Sequence, residues 1–90
     1  MAHRRRIKVE YKKLGKFWGF GHTYPIQLDE RLRGKKHLEI LIHECLHHIN
    51  PDLSEDAVVR DAVTLANTLW HEGYRRIDNS NDIPLQDGKK

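Results

Sequence analysis

Asn50-Pro51 divides the second half of this chain into two helical segments, and that break restricts the fold more than any other feature. The residue before a proline avoids the helical region, so a helix reaching Ile49 ends there. Ahead of the break, Leu38, Leu41, Ile42, Cys45, Leu46 and Ile49 recur at three- and four-residue spacing and predict an amphipathic helix over residues 35–49. Beyond it, Val58, Val59, Ala62, Val63, Leu65, Ala66, Leu69 and Trp70 predict a second helix over residues 54–73, with a broad buried face and Gly73 as its stop. Asp52 or Ser54 can cap that helix, and Asp52 with Glu55 has capping-box spacing. So short a connection returns the start of the second helix to the end of the first.

The first half of the chain reads as strands. Ile7, Val9 and Tyr11 alternate with Arg6, Lys8, Glu10 and Lys12, the pattern of a half-buried strand. A turn at Leu14-Gly15-Lys16 leads into Phe17-Trp18-Gly19-Phe20-Gly21-His22, whose glycines predict a bulge or a close backbone approach. Residues 24–29 form a third candidate strand with Ile26 and Leu28 inward, and Pro25 confines its start to an edge or strand end. The expected fold class is therefore α+β: a small three-stranded, mainly antiparallel sheet followed by two helices. Ninety residues suffice for one domain, placed at residues 1–76, with residues 77–90 expected to be a polar, flexible tail.

Composition narrows the class. Hydrophobic residues make up 38% of the chain and charged ones 32%, as in a globular domain, and no apolar run is long enough to cross a bilayer. No apolar signal segment follows the basic Arg4-Arg5-Arg6, and Cys45 has no second cysteine to pair with; both point to a cytoplasmic protein. Residues 1–16 carry a net +6 and the remainder −3. That basic edge could meet nucleic acid or an acidic protein, although no nucleic-acid motif accompanies it.

The chemistry is concentrated in His43-Glu44-Cys45-Leu46-His47. Residues four apart on a helix share a face, so both imidazoles can reach one ion. Glu44, about 100° further round than His43, stands beside that ion rather than on it. This is the HExxH zinc-hydrolase spacing, with Zn2+ expected at one per chain. Two neutral imidazoles leave the ion's charge uncancelled, so a water there ionises near neutral pH and Glu44 can act as general base.

Zinc hydrolases take three protein ligands. A third histidine at the HExxHxxGxxH position is missing, since Asn50 and Leu53 stand where glycine and histidine would be. Asp52, Glu55, Asp56 and Asp61 follow the motif, and His22 precedes it. On the second helix Glu55 falls within about 40° of Val59, Ala62, Ala66 and Leu69, whereas Asp56 and Asp61 lie about 100° or more away. A carboxylate on an apolar face needs a partner, which selects Glu55, with Asp52, Asp56 and His22 as alternatives. The competing role for Glu55 is helix capping. Candidates to stabilise an oxyanion are His22, Tyr24, His37, His71 and Tyr74; His48 is expected to face solvent, and Cys45, Trp18, Phe20 and Trp70 to be core.

With His43-Glu44-Cys45-Leu46-His47 preceded by a sheet and followed by Glu55 on a helix, the chain resembles the zincin metallopeptidases of the glutamate-ligand group, the gluzincins. The runs 26–32, 38–44 and 65–70 look like small metallopeptidases encoded by phages and prophages. The resemblance implies a peptide or protein substrate bound along an edge strand beside the zinc, and the host cytoplasm as compartment. The spacing to Glu55 is shorter than in large gluzincins, and their downstream substrate domain is missing. The alternative is a non-catalytic zinc-containing binding module that docks a protein or nucleic acid through its basic N-terminal strand.

Overall fold

The structure, a computed structural model, describes residues 6–77. Its elements are β1 (Val9–Lys12), β2 (Gly19–Phe20), β3 (Ile26–Asp29), α1 (Gly34–Ile49) and α2 (Glu55–His71). The expected α+β order of three strands and then two helices is present. The sheet, however, is mixed rather than mainly antiparallel. Its order is β1-β3-β2, with β1 parallel to β3 and β2 antiparallel to it. The central strand β3 carries the fully buried Ile26 and Leu28, and the core continues through Leu32 to Ile40 of α1.

The aromatic stretch departs from expectation. Trp18 and Phe20 are 41% and 37% exposed rather than core, and Trp70 is half-buried. Arg31 lies over the Trp18 ring at 5.0 Å, and Phe17 packs on Phe20. The proposed flexible tail, apart from Ile77, lies outside the described residues, as does the start of the basic N-terminus.

The first helix buries a face other than its most apolar one, and the second buries only the centre of its apolar face. On α1 the buried residues are His37, Ile40, Glu44 and His47, while Ile49 of the predicted stripe is largely exposed. On α2 they are Val58, Ala62 and Ala66, and Val59, Val63 and Leu65 are exposed. Small alanines at four-residue spacing let α2 lie close against α1. As a result α1 is enclosed between α2 and the sheet, and its motif face turns inward.

The turn that launches β2 is fixed by one buried carboxylate. Asp29 accepts hydrogen bonds from the Leu14 amide, the Arg31 amide, and Nε and Nη2 of Arg31. The Arg31 guanidinium holds the Asp29 carboxyl well below the usual carboxylate range. A depressed folded-state pKa contributes stability above the unfolded value of about 3.9 that is lost as pH falls through the folded one. Asp29→Asn is therefore expected to lower the melting temperature at pH 7 by roughly 5–10 °C. Thermal melts should show that gap narrowing below pH 4; an equal gap at all pH values would refute the ion-pair assignment.

Candidate metal centre

His43 and His47 project from adjacent turns of α1, near its C-terminal end, with ring centroids 4.9 Å apart. Glu55 is the first residue of α2, and its carboxylate meets both rings: Oε2 is 3.2 Å from His43 Nε2 and Oε1 is 2.9 Å from His47 Nε2. The connection of residues 50–54 makes this possible. Asn50 closes α1 through a bond from its amide to the Leu46 carbonyl, and Leu53 bonds back to the Asn50 carbonyl. Ser54 is the N-cap of α2, its hydroxyl accepting from the Ala57 amide at 3.1 Å. Capping is thus done by Ser54, and the Glu55 carboxylate is engaged at the imidazoles. Glu55 does lie on the same face as Val58 and Ala62, but beyond the core, so its side chain is 63% exposed.

Glu44 is buried against the sheet. A Cβ on Gly19 would sit 2.8 Å from Glu44 Cγ, and one on Gly21 would collide with the Glu44 carbonyl oxygen. The sequence's glycine-rich stretch is thus a close approach of the β2 segment to the motif glutamate. Burial, and next the nearby Glu55 carboxylate, push the Glu44 carboxyl up to about 7. A carboxyl titrating near neutrality is suited to exchanging protons. His47 moves the other way: burial lowers its pKa, opposed by Glu55 and aided by His43 and His22. It is therefore a neutral imidazole at pH 7, the form that ligates metals.

Donor atoms of His43, Glu44 and His47 all lie within 4.8 Å of one another, and the group could hold a metal ion. Two carboxylates thus border the imidazole pair. Glu55 approaches both Nε2 atoms directly, whereas Glu44 is wedged against Gly19 and Gly21. Tetrahedral zinc with ligands at about 2.0–2.1 Å spaces its donors about 3.3 Å apart. The Glu55-to-imidazole distances are close to that. His47 Nδ1 is buried with no hydrogen-bond partner among the described residues. Nε2, 2.9 Å from Glu55 Oε1, is thus the ring's polar contact: it donates to the carboxylate when it carries the hydrogen, and offers a lone pair to a cation when it does not.

The other candidates separate clearly. His22 stacks on His47, with centroids 4.5 Å apart, and borders the site. Tyr24 stacks on His48, which is half-buried rather than facing solvent. His37 is buried at the far end of α1, bonded to the Tyr11 hydroxyl. His71 and Tyr74 lie at the far end of α2, about 24 Å along the helix from Glu55. Asp52 and Asp56 are exposed and make no ion pair with the imidazoles among the described residues; Asp61 pairs with Arg60. Cys45 is a half-buried free thiol.

No family model, curated protein or solved structure matches the chain. Among the described residues no helix is long and apolar enough to cross a membrane.

Proposed function

We propose that this protein is a zinc-dependent metallopeptidase in which His43, His47 and Glu55 hold the metal and Glu44 is the general base. The observation that carries this reading is the Glu55 carboxylate placed between two imidazole Nε2 atoms, with a second, buried carboxylate beside them. Zinc in such a site acidifies water and polarises a carbonyl oxygen. Glu44 takes the proton as the water oxygen bonds to the carbonyl carbon, then delivers it to the amine nitrogen as the C–N bond breaks. Gly19 and Gly21 keep backbone close to that carboxylate, and the outer edge of β2 offers unpaired amide and carbonyl groups to an extended peptide. His22 borders the same space and is the residue best placed to hydrogen-bond a developing oxyanion.

Metal analysis of protein purified without added chelator should give about one zinc per chain. Glu55→Ala should reduce zinc affinity by about 10–100-fold or more and raise the susceptibility of the fold to chelators. Full zinc retention in that variant would remove Glu55 from the ligand set. A non-catalytic module that docks partners through β1 makes the opposite prediction: zinc bound, no peptide cleaved, and binding that falls steeply with salt.

A further inference from the structure

At the opposite end of the two helices from the imidazole pair lies a cavity of about 390 Å³. Tyr11, Leu32, Gly34 and Trp70 line it, together with three arginines, Arg33, Arg75 and Arg76. It begins about 14 Å along α1 from His43, so the two sites are separate.

The three arginines have no carboxylate partner within ion-pair distance among the described residues. Arg33 uses only Nη1, which donates to the Glu30 and Leu32 carbonyls; Arg75 likewise uses only Nη1, donating to the Trp70 and Tyr74 carbonyls. Arg76 makes no hydrogen bond to the described residues and lies 4.8 Å over the Tyr11 ring. Donors on all three groups therefore remain open. Glu30 also lines the cavity and offsets one charge, leaving the lining net positive. Three like charges around one space give it a positive potential that favours the entry of an anion.

The start of α1 adds to that potential. Its N-cap, Arg33, makes no side-chain cap, and the first turn has no acidic residue. The amides of Gly34, Lys35 and Lys36 have no intrahelical acceptor, since the first such bond runs from the His37 amide to the Arg33 carbonyl. Gly34 adopts φ +60°, a conformation that L side chains rarely take, and its Cα faces Trp70. The buried His37 reports the same field: burial first, then Arg76 and Arg33, lower its pKa.

The aromatic rings already carry cations. Arg75 covers Trp70 at 3.5 Å and Arg76 covers Tyr11, so the rings serve to fix the guanidinium groups in place. Their open donors suit a compact anion with acceptors in several directions. A carboxylate is planar and singly charged; a phosphate monoester is tetrahedral and close to dianionic at neutral pH. We infer that the cavity between Arg33, Arg75 and Arg76 is a binding site for a phosphate monoester group. Its volume exceeds what the group itself fills and leaves room for a substituent.

The test is a ¹⁵N-edited NMR titration of the full chain at constant ionic strength with inorganic phosphate, O-phosphoserine and adenosine monophosphate. The last two distinguish an amino-acid from a nucleotide source. Saturable shifts centred on the amides of Gly34, Lys35 and Lys36 and the Trp70 indole are expected. In Arg33→Gln and Arg76→Gln proteins of unchanged spectral dispersion, affinity should fall about tenfold or more. Arg76→Lys, which keeps the charge but loses the planar fork, should fall in between and serves if the glutamine variant does not fold. Arg60→Gln, on the exposed face of α2, should leave affinity unchanged. Shifts confined to His43 and His47, shifts spread equally over Lys8, Lys12 and Lys16, or an unchanged affinity in the Arg33 and Arg76 variants would each overturn the assignment. So would a phosphodiester oligonucleotide that bound more tightly than the monoesters.

Discussion

Replacing Glu44 with glutamine is expected to lower peptide hydrolysis about 10²–10⁴-fold while zinc stays at about one per chain. Glutamine matches the shape that Gly19 and Gly21 accommodate, so β2 need not move; what disappears is the capacity to accept a proton. Hydrolysis at the wild-type rate in that variant would exclude Glu44 as the base. The same substitution has a second readout in metal-free protein. Burial and Glu55 raise the Glu44 carboxyl to about 7, above the unfolded value. A raised pKa contributes stability that is complete below the unfolded pKa and lost as pH rises through the folded one. Metal-free wild type therefore bears a buried carboxylate at pH 8 that the variant lacks. The variant should be more stable there by about 1 kcal/mol, a figure reduced for the solvent entering the open side of the cleft. Chelator-treated melts at pH 5 and pH 8 separate this from a general effect of glutamine, because the difference should close at pH 5.

Gly21→Ala should be the most damaging single methyl in the molecule. Its Cβ would collide with the Glu44 carbonyl oxygen and lie 2.9 Å from Glu44 Cα, both backbone atoms that cannot rotate aside. Either β2 or α1 must shift, at a cost of about 1–3 kcal/mol. The shift also moves the edge strand relative to Glu44, and a displacement of about 1 Å at a reacting centre can cost about 10²-fold in rate. Gly15→Ala is the comparison, because a Cβ there meets nothing within 4 Å. Gly15 does have φ +70°, so some loss of stability is expected, without the loss of rate. Equal rate losses in the two variants would show that close packing on Glu44 is not what matters.

These two residues also show what could be read from sequence. His43, Glu44 and His47 were legible because helical spacing alone brings them together, and Glu55 because its angle on the second helix places it with Val59, Ala62, Ala66 and Leu69. Gly19 and Gly21 announced a close approach without naming what approached. The inward face of α1 was not legible from hydrophobicity. A stripe drawn through Leu38, Leu41, Ile42, Cys45, Leu46 and Ile49 ranks residues by affinity for water, whereas the chain buries His37, Glu44 and His47 and leaves Ile49 exposed. Polar groups that find partners inside, as His37 does at the Tyr11 hydroxyl and His47 at Glu55, run against that ranking. The parallel pairing of β1 with β3 was hidden for another reason: β3 inserts between β1 and β2, and alternation within a strand does not say which strand lies beside it. The three arginines of the cavity are separated by some forty positions, and only the antiparallel return of α2 along α1 brings Arg75 and Arg76 to Arg33.

The two-residue length of β2 bears on how such a site would select what it cleaves. At about 3.3 Å per residue, the strand offers only about 7 Å of edge. A peptide laid along it gains very few backbone hydrogen bonds, each contributing about 0.5–1.5 kcal/mol. Ground-state affinity from this edge is therefore small, and KM for short unstructured peptides should be high. Discrimination between substrates would then fall to the exposed Phe17 and Trp18 just ahead of the strand and to Phe20 within it, whose apolar surfaces can hold a side chain where the backbone holds little.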